Sequence, residues 1–179
     1  RFSFNELDRL SNRIANGLVA SGVQAGDRVT LYGNNSWEWI VAYYAIAKTG
    51  AVVNPINVML TLEEVRFVVE DSSARAVVAS SDKGGPLLDM KSSAPDLADI
   101  VLWGEKRLTG AASFDQWLQQ GSAEFERVPR QTSDLAAICY TSGTTGKPKG
   151  IVHTTGGYLT QVAATTRYVF DLKPADVFW

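Results

Sequence analysis

The chain has 179 residues, of which 45% are apolar and 20% are charged, and its formal net charge is −2. These values are typical of a globular protein with a core of its own, and the charge argues against nonspecific binding to nucleic acid. No apolar run reaches the length of a membrane span, and the single cysteine, Cys139, cannot form a disulfide within the chain, so we expect a cytoplasmic protein.

Helix and strand signals alternate along the chain. The helix signals are capping residues followed by apolar residues at helical spacing, and the strand signals are short apolar runs that end near a turn residue. From the start, we predict a helix opened by Ser3 and Glu6, the strand RVTLYG, a helix that Ser36 opens and Gly50 ends, the strand AVVNP, and a helix from Thr61 and Glu64 to about Asp71. Further on, we predict the strand ARAVVAS, a weaker helix around residues 86–90, the strand ADIVLWG, the short helix FDQWLQQG and the strand DLAAICYTS.

The predicted strands are apolar along their length and do not alternate between apolar and polar residues. Strands of this kind, separated by helices, are typical of a parallel sheet with helices on both faces, so the predicted fold class is α/β. The polar stretch QQGSAEFERVPRQTSD is expected to run over the surface. The last residues, ADVFW, indicate the start of a further strand, so we expect an incomplete part of a larger domain.

The stretch YTSGTTGKPKG, residues 140–150, concentrates hydroxyl groups, glycines and lysines directly after the last predicted strand. Ligands of open α/β sheets bind at the carboxyl ends of strands, and glycine-rich loops expose backbone N–H groups that can hold an anion. Residues 135–170 contain no acidic residue, so a nucleotide polyphosphate is the anion that fits best. The loop is not a Walker A loop, because Gly143 and Gly146 are too close together and Pro148 follows the lysine.

At these residues the sequence resembles the adenylate-forming superfamily, which includes acyl-CoA synthetases, luciferases and the adenylation domains of peptide synthetases. The stretch YTSGTTGKPKGIVHT matches the signature loop of that family, and NNSWEWIVAYYAIAKTGAVVNPIN and LTLEEVRFVVEDSSARAVVAS are similar to its first ordered segments. The resemblance covers residues 1–179. It implies part of the large N-terminal AMP-binding domain, without the small C-terminal domain.

The resemblance implies a two-step reaction. A carboxylate attacks the α-phosphate of ATP to give an acyl-adenylate and pyrophosphate, and a thiol, usually that of coenzyme A, then takes the acyl group. In the family, the signature loop holds the β- and γ-phosphates, and Mg²⁺ comes with the nucleotide. Carried onto this sequence, the phosphate-binding residues are Thr141, Ser142, Gly143, Thr144, Thr145, Gly146 and Lys147, with Lys149 as a weaker electrostatic contributor at the edge of the loop.

The identity of the carboxylic acid stays open, because two parts of the chain resemble different subfamilies. The stretch VVNPINVMLTLEEVRFVVEDSSARAVV is similar to medium-chain, long-chain and aryl synthetases, whereas IVHTTGGYLTQVAATTRYVFDLKPADVFW is similar to acetyl- and propionyl-CoA synthetases. We assign no catalytic residue, because the family's adenine, carboxylate and metal segments and its catalytic lysine follow this region; we therefore expect the chain alone to be inactive. The alternatives are an amino-acid-activating adenylation domain and a nucleotide-binding fragment without catalysis.

For two reactive side chains we favour structural roles over catalytic ones. His153, the only histidine, is expected at the start of the helix that follows the loop, without a carboxylate partner for general-base catalysis. Cys139 lies within an apolar strand and lacks a basic neighbour that would activate it, so we expect a core thiol. No group of residues has the spacing of metal ligands.

Four aromatic residues, one arginine and two glycines could also contact a ligand. The aromatic residues of the second helix could line an acyl pocket, but packing against the sheet is favoured for Trp37, Trp39, Tyr43 and Tyr44. We expect Arg167 on a solvated helix face. Gly156 and Gly157 fit the close approach of a ligand or of another helix equally well.

Overall fold

The structure is a computed structural model, and it describes residues 2–141 and 148–165. Seven strands of this part form one sheet: β1 (Arg28–Tyr32), β2 (Val52–Ile56), β3 (Ala74–Ser80), β4 (Asp99–Trp103), β5 (Ala112–Ser113), β6 (Leu135–Thr141) and β7 (Lys149–Thr154). The α-helices of the same part are α1 (Phe4–Ala20), α2 (Trp37–Lys48), α3 (Leu62–Asp71), α4 (Gly84–Lys91), α5 (Phe114–Gln120) and α6 (Thr155–Ala164), with a short 3-10 turn over Ser81–Lys83. The helices and strands predicted up to β6 are confirmed.

The predicted capping residues start the helices. Glu6 N donates to Ser3 Oγ at 3.2 Å and Ser3 N donates to Glu6 Oε2 at 2.7 Å, which completes a capping box at α1. The same exchange links Thr61 and Glu64 at α3. The helix-ending role predicted for Gly50 is also confirmed, because its φ of +74° is one that glycine adopts without strain.

The strand order is β5-β4-β3-β1-β2-β6-β7. In this order, every pair of neighbouring strands is parallel except the last pair, β6 and β7, which is antiparallel. The predicted α/β class with a parallel sheet is confirmed. The antiparallel edge strand was not predicted.

The element after the loop is a strand, and the prediction that His153 starts a helix is wrong. His153 lies in β7 and pairs with Ala137 of β6, while α6 begins at Thr155. Ile151, Val152 and Thr154, which surround His153, are β-branched. Such residues favour an extended strand that pairs with its neighbour. The histidine therefore belongs to the hairpin that carries the loop.

The sheet is covered on both faces, as predicted, because its strands present apolar side chains to each face in alternation. One core lies beneath α1, α2 and α5 and includes the strand residues Val29, Leu31, Val53, Val78 and Val101. The other lies beneath α3 and α4 and includes Tyr32, Ile56, Val77, Ala79 and Ile100. Two buried faces explain why the strands are continuously apolar in sequence.

Helices α1 and α2 are joined by a lysine. Lys48 Nζ lies 2.7 Å from Asp8 Oδ1, 2.7 Å from Ser11 Oγ and 2.6 Å from Asn12 Oδ1. Ser11 and Asn12 are buried, so the ammonium group satisfies polar atoms that water does not reach. The lysine thus fixes the contact between the first two helices.

The polar stretch before β6 runs over the surface, as predicted, and none of residues 121–134 is buried. It is held by side chains of α1, since Asn12 Nδ2 donates to Ala123 O and Asn16 Nδ2 donates to Glu124 O, both at 2.9 Å. Within the ranges given above, no helix is long and apolar enough to cross a membrane.

Candidate functional site

The candidate loop is carried by the hairpin of β6 and β7. The two strands pair at six positions, and the pair nearest the loop is Thr141 with Lys149. Both of these residues are exposed, while Pro148 beside them is buried. The other predicted phosphate-binding residues lie outside the described residues: Ser142, Gly143, Thr144, Thr145, Gly146 and Lys147.

The loop emerges at the carboxyl edge of the parallel strands. β6 runs parallel to β2, so Thr141 lies at the same edge as the last residues of β1, β2, β3 and β4. This is the edge at which open α/β sheets bind ligands. The prediction that an apolar strand delivers the motif to this edge is confirmed.

Tyr140 anchors the strand directly before the loop. Its ring packs partly buried against the core beneath α3, and its Oη donates to Asp71 Oδ2 at 2.6 Å. Burial, followed by this hydrogen bond, raises the pKa of Tyr140 above its ordinary value, so the hydroxyl stays protonated and donates. Sequence analysis missed this pair, because 69 positions separate the two residues.

The opposite face of the hairpin carries a second tyrosine contact. Burial and a hydrogen bond with Tyr158 of α6 raise the pKa of Tyr43 on α2. Cys139 is half-buried in β6, and burial raises the pKa of its thiol, which disfavours the reactive thiolate. The His153 ring lies edge-on to Tyr158, with 6.3 Å between the ring centroids. These contacts are consistent with structural roles for Cys139 and His153.

The aromatic residues of α2 divide into two pairs. Trp39 and Tyr43 pack against the core beneath α1 and α2, as predicted. Trp37 and Tyr44 are exposed, so the predicted core packing is wrong for these two. Their positions fall on the outer side of α2, where Tyr44 helps to line an apolar cavity of about 260 Å³ between α2 and α6.

Gly156 provides a close approach between segments of the chain. Its N–H donates to Thr132 O at 2.9 Å, and a Cβ at this position would lie 3.1 Å from both Thr132 Cβ and Thr132 O. Gly157 N donates to Thr154 Oγ1 at 3.2 Å at the start of α6. The two glycines therefore serve contacts within the chain. Arg167 lies outside the described residues.

The described residues offer no metal centre of their own. Among residues 2–141 and 148–165, no three side chains of histidine, cysteine, aspartate or glutamate are grouped so that they could hold a metal ion. Mg²⁺ usually keeps several waters and is bound through one or two carboxylates together with the phosphates of a substrate. In the strand pair nearest the loop, the described side chains are the hydroxyl group of Thr141 and the ammonium group of Lys149.

A family model described as "AMP-binding enzyme" matches residues 1–179. Among curated proteins, the chain is 35% identical over 197 residues to an acetyl-coenzyme A synthetase of Escherichia coli (strain K12), covering 99% of this chain and 30% of that protein. It is 33% identical over 198 residues to an acetyl-coenzyme A synthetase of Cupriavidus pinatubonensis, covering 100% of this chain and 30% of the relative. The chain thus spans about 30% of the length of these relatives.

Solved structures share the fold. The anthranilate CoA ligase AuaEII in complex with anthranoyl-AMP superposes with a TM-score of 0.87 at 28% identity, covering 92% of this chain and 32% of that one. Apo MatB from Rhodopseudomonas palustris gives a TM-score of 0.86 at 31% identity, covering 98% and 34% of the two chains.

Proposed function

Because the chain belongs to the family of AMP-binding enzymes, we propose that it carries the phosphate-binding loop of an ATP-dependent acyl-CoA synthetase. The observation that carries the proposal is the motif YTSGTTGKPKG at the tip of a hairpin on the carboxyl edge of the sheet. Relatives that are named acetyl-coenzyme A synthetase and a neighbouring structure of a CoA ligase with an acyl-adenylate support it.

In the proposed first step, a carboxylate oxygen of the acid attacks the α-phosphorus of ATP. The bond between that phosphorus and the bridging oxygen to the β-phosphate breaks, and pyrophosphate leaves with the electron pair. In the second step, the thiol of coenzyme A attacks the acyl carbon, loses its proton, and AMP leaves. Reactions of this type depend on positioning and on the stabilisation of negative charge that develops on the leaving group.

The loop residues would hold the leaving pyrophosphate. Hydroxyl groups of Thr141, Ser142, Thr144 and Thr145 can donate hydrogen bonds to phosphate oxygens, and Gly143 and Gly146 leave backbone N–H groups free to approach them. Lys147 would supply positive charge to the phosphates, and Lys149, at the first position of β7, would contribute more weakly from the edge of the loop. Mg²⁺ would arrive with the nucleotide, and no step is assigned to a metal held by the described side chains.

Exchange of labelled pyrophosphate into ATP tests this function in the complete polypeptide that contains these 179 residues. We expect exchange that depends on one class of carboxylic acid, in a panel that runs from acetate through long fatty acids and aryl acids to amino acids. Acetate comes first in the panel because of the names of the relatives. Exchange with amino acids alone would favour the amino-acid-activating alternative. A folded protein that binds ATP but is silent with every acid would favour binding without catalysis.

The role of the loop is tested by the double variant Thr144→Ala/Lys147→Ala. We expect exchange to fall by about 10²-fold or more, because donors that stabilise transition-state charge contribute on this order. Thioester formation from supplied acyl-adenylate should be retained. Lys106→Ala/Thr109→Ala, at two exposed residues of the loop after β4, is the matched control. Equal loss of both half-reactions in Thr144→Ala/Lys147→Ala would contradict the proposed hold on pyrophosphate.

A further inference from the structure

The hairpin that carries the loop has a short register with the parallel sheet. β6 and β7 pair with each other at six positions, but the register between β6 and β2 contains the single pair Val53 and Ala137. Beyond Ala137, β6 has register pairs with β7 but none with β2, so side-chain contacts contribute to how the distal half of β6 lies against the rest of the protein. The distal half is the part that leads into residues 142–147.

One side chain at this end of β6 reaches a fixed element. Tyr140 directly precedes Thr141, and its Oη donates to Asp71 Oδ2 at 2.6 Å. Asp71 is the last residue of α3, and the turn after it is held by Arg28 of β1, whose Nε donates to Ser72 O at 2.6 Å and whose Nη2 donates to Ser73 O at 2.8 Å. The end of α3, which carries the exposed side chain of Asp71, is therefore held to the central strand β1.

Gly150 gives the ring of Tyr140 the space for this contact. The two residues face each other across β6 and β7, and a Cβ at Gly150 would lie 3.2 Å from Tyr140 Cζ. A side chain at this position would press on the ring that carries the hydroxyl. The stem of the loop, defined as the pairs Tyr140–Gly150 and Thr141–Lys149, thus has a bulky donor on β6, a glycine opposite it on β7, and an acceptor at the end of α3.

We propose that Tyr140 is a positioning residue, which through its hydrogen bond to Asp71 holds the stem of the phosphate-binding loop in the orientation that accepts pyrophosphate. This inference rests on the proposed function, since it assigns a role in the same site. Tyr140 does not contact the phosphates in this role. It fixes the direction in which β6 delivers Thr141 and the residues that follow.

A purely structural role for the same hydrogen bond has a different signature. Loss of a structural contact lowers the thermal midpoint and affects all substrates alike. Loss of a contact that orients the loop raises the KM for pyrophosphate and leaves the KM for the carboxylic acid near its original value, because the acid is not a ligand of the loop.

The experiment compares four variants of the complete polypeptide in ATP–pyrophosphate exchange, with thermal midpoints as the measure of folding. Tyr140→Phe keeps the ring and removes the hydroxyl, Asp71→Ala removes the acceptor, and Asp71→Asn keeps an acceptor oxygen. The double variant Tyr140→Phe/Asp71→Ala tests whether the two residues act as a pair. Thr109→Val removes a hydroxyl from an exposed residue of the loop after β4 and is the control.

We expect Tyr140→Phe and Asp71→Ala each to raise the KM for pyrophosphate about tenfold, the scale set by a hydrogen bond to a charged group. The KM for pyrophosphate of the double variant should be no higher than that of either single variant. For Asp71→Asn, this KM should lie close to that of the original protein. A KM for pyrophosphate that stays at the original value in both single variants would overturn the proposal. So would a fall in thermal midpoint with equal losses for every substrate.

The loop variant Thr144→Ala/Lys147→Ala separates this inference from the proposed function. If it loses exchange while Tyr140→Phe and Asp71→Ala behave like the original protein, the positioning role is wrong and the proposed function stands. If it also exchanges normally, the loop does not hold pyrophosphate, and the positioning role falls with it.

Discussion

Gly17 is the residue of α1 at which the packing of another helix leaves no room for a side chain. The ring of Trp117 on α5 lies directly over it, and a Cβ at Gly17 would overlap the atoms Cδ2 and Cε3 of that ring. Glycine usually weakens the middle of a helix. Here its absence of a side chain allows α1 and α5 to pack against each other.

The substitution Gly17→Ala tests this contact. We expect the free energy of unfolding to fall by about 1–3 kcal/mol, because the overlap with Trp117 outweighs the better helix propensity of alanine. The measurement is a urea unfolding curve. The control is Gly85→Ala in α4, where nothing lies within 4 Å of the added Cβ and stability should stay constant or rise slightly. Equal effects of the two substitutions would contradict the packing argument.

Individual residues were predictable from sequence when their partners lie close along the chain. Ser3 with Glu6 and Thr61 with Glu64 were assigned correctly, because a capping box joins residues three positions apart. The contact between Tyr140 and Asp71 has no local pattern and depends on how α3 and β6 meet. The same applies to the exposure of Trp37 and Tyr44, since helical spacing does not tell which side of α2 faces the sheet.

At the scale of elements, α1 and α2 depend on Lys48. Its side chain is only 11% exposed, whereas that of Asp8 is 62% exposed. The more important partners are therefore the buried Ser11 and Asn12, whose polar atoms would lose their hydrogen bond if the ammonium group were removed.

The substitution Lys48→Met keeps an apolar stem and removes the charge. We expect the free energy of unfolding to fall by roughly 2 kcal/mol, because buried acceptors on α1 lose a charged donor. Chemical unfolding monitored by circular dichroism gives the value. Lys106→Met, at an exposed position, serves as the control. A loss no larger than that of the control would show that α1 and α2 do not need the lysine.

The helices and strands up to β6, other than the two-residue strand β5, were predictable because capping residues, glycines and apolar runs mark their ends locally. β5 has no such run and was not predicted. β7 was missed because it does not have the continuous apolar run that is typical of the earlier strands. Its conformation depends on pairing with β6. The position of the candidate loop at the carboxyl edge was predictable from the apolar strand before it. The antiparallel return of the chain was not.

At the scale of the whole molecule, carboxylates that cap or join helices make the free energy of unfolding depend on pH in the acidic range. Hydrogen bonds from the backbone of Ser3 and Thr61 lower the pKa of Glu6 and Glu64 below the ordinary value of 4.5. The hydrogen bond from Lys48 lowers the pKa of Asp8 below 3.8. A lowered pKa in the folded state means that the stabilising contribution is complete above the ordinary value and is lost as the pH falls through the folded value.

We therefore expect the urea midpoint to be constant from pH 7 to about 5 and to fall progressively below about 4.5. The double variant Glu6→Gln/Glu64→Gln should show a shallower fall, because two of the contributing carboxylates are gone. Glu105→Gln, at an exposed position after β4, is the matched substitution. A midpoint that does not change between pH 5 and pH 3 would contradict this assignment.

The single register pair between β2 and β6 has a consequence for the dynamics of the protein. Cooperative units of a fold open with different free energies, and the short register with β2 makes β6 and β7 the part of the sheet that we expect to open before β1 to β4. In native-state hydrogen exchange, we expect the amides of β6 and β7 to share one opening free energy that is smaller than that of the central strands. A ligand held at the tip of this hairpin would slow exchange along its whole length.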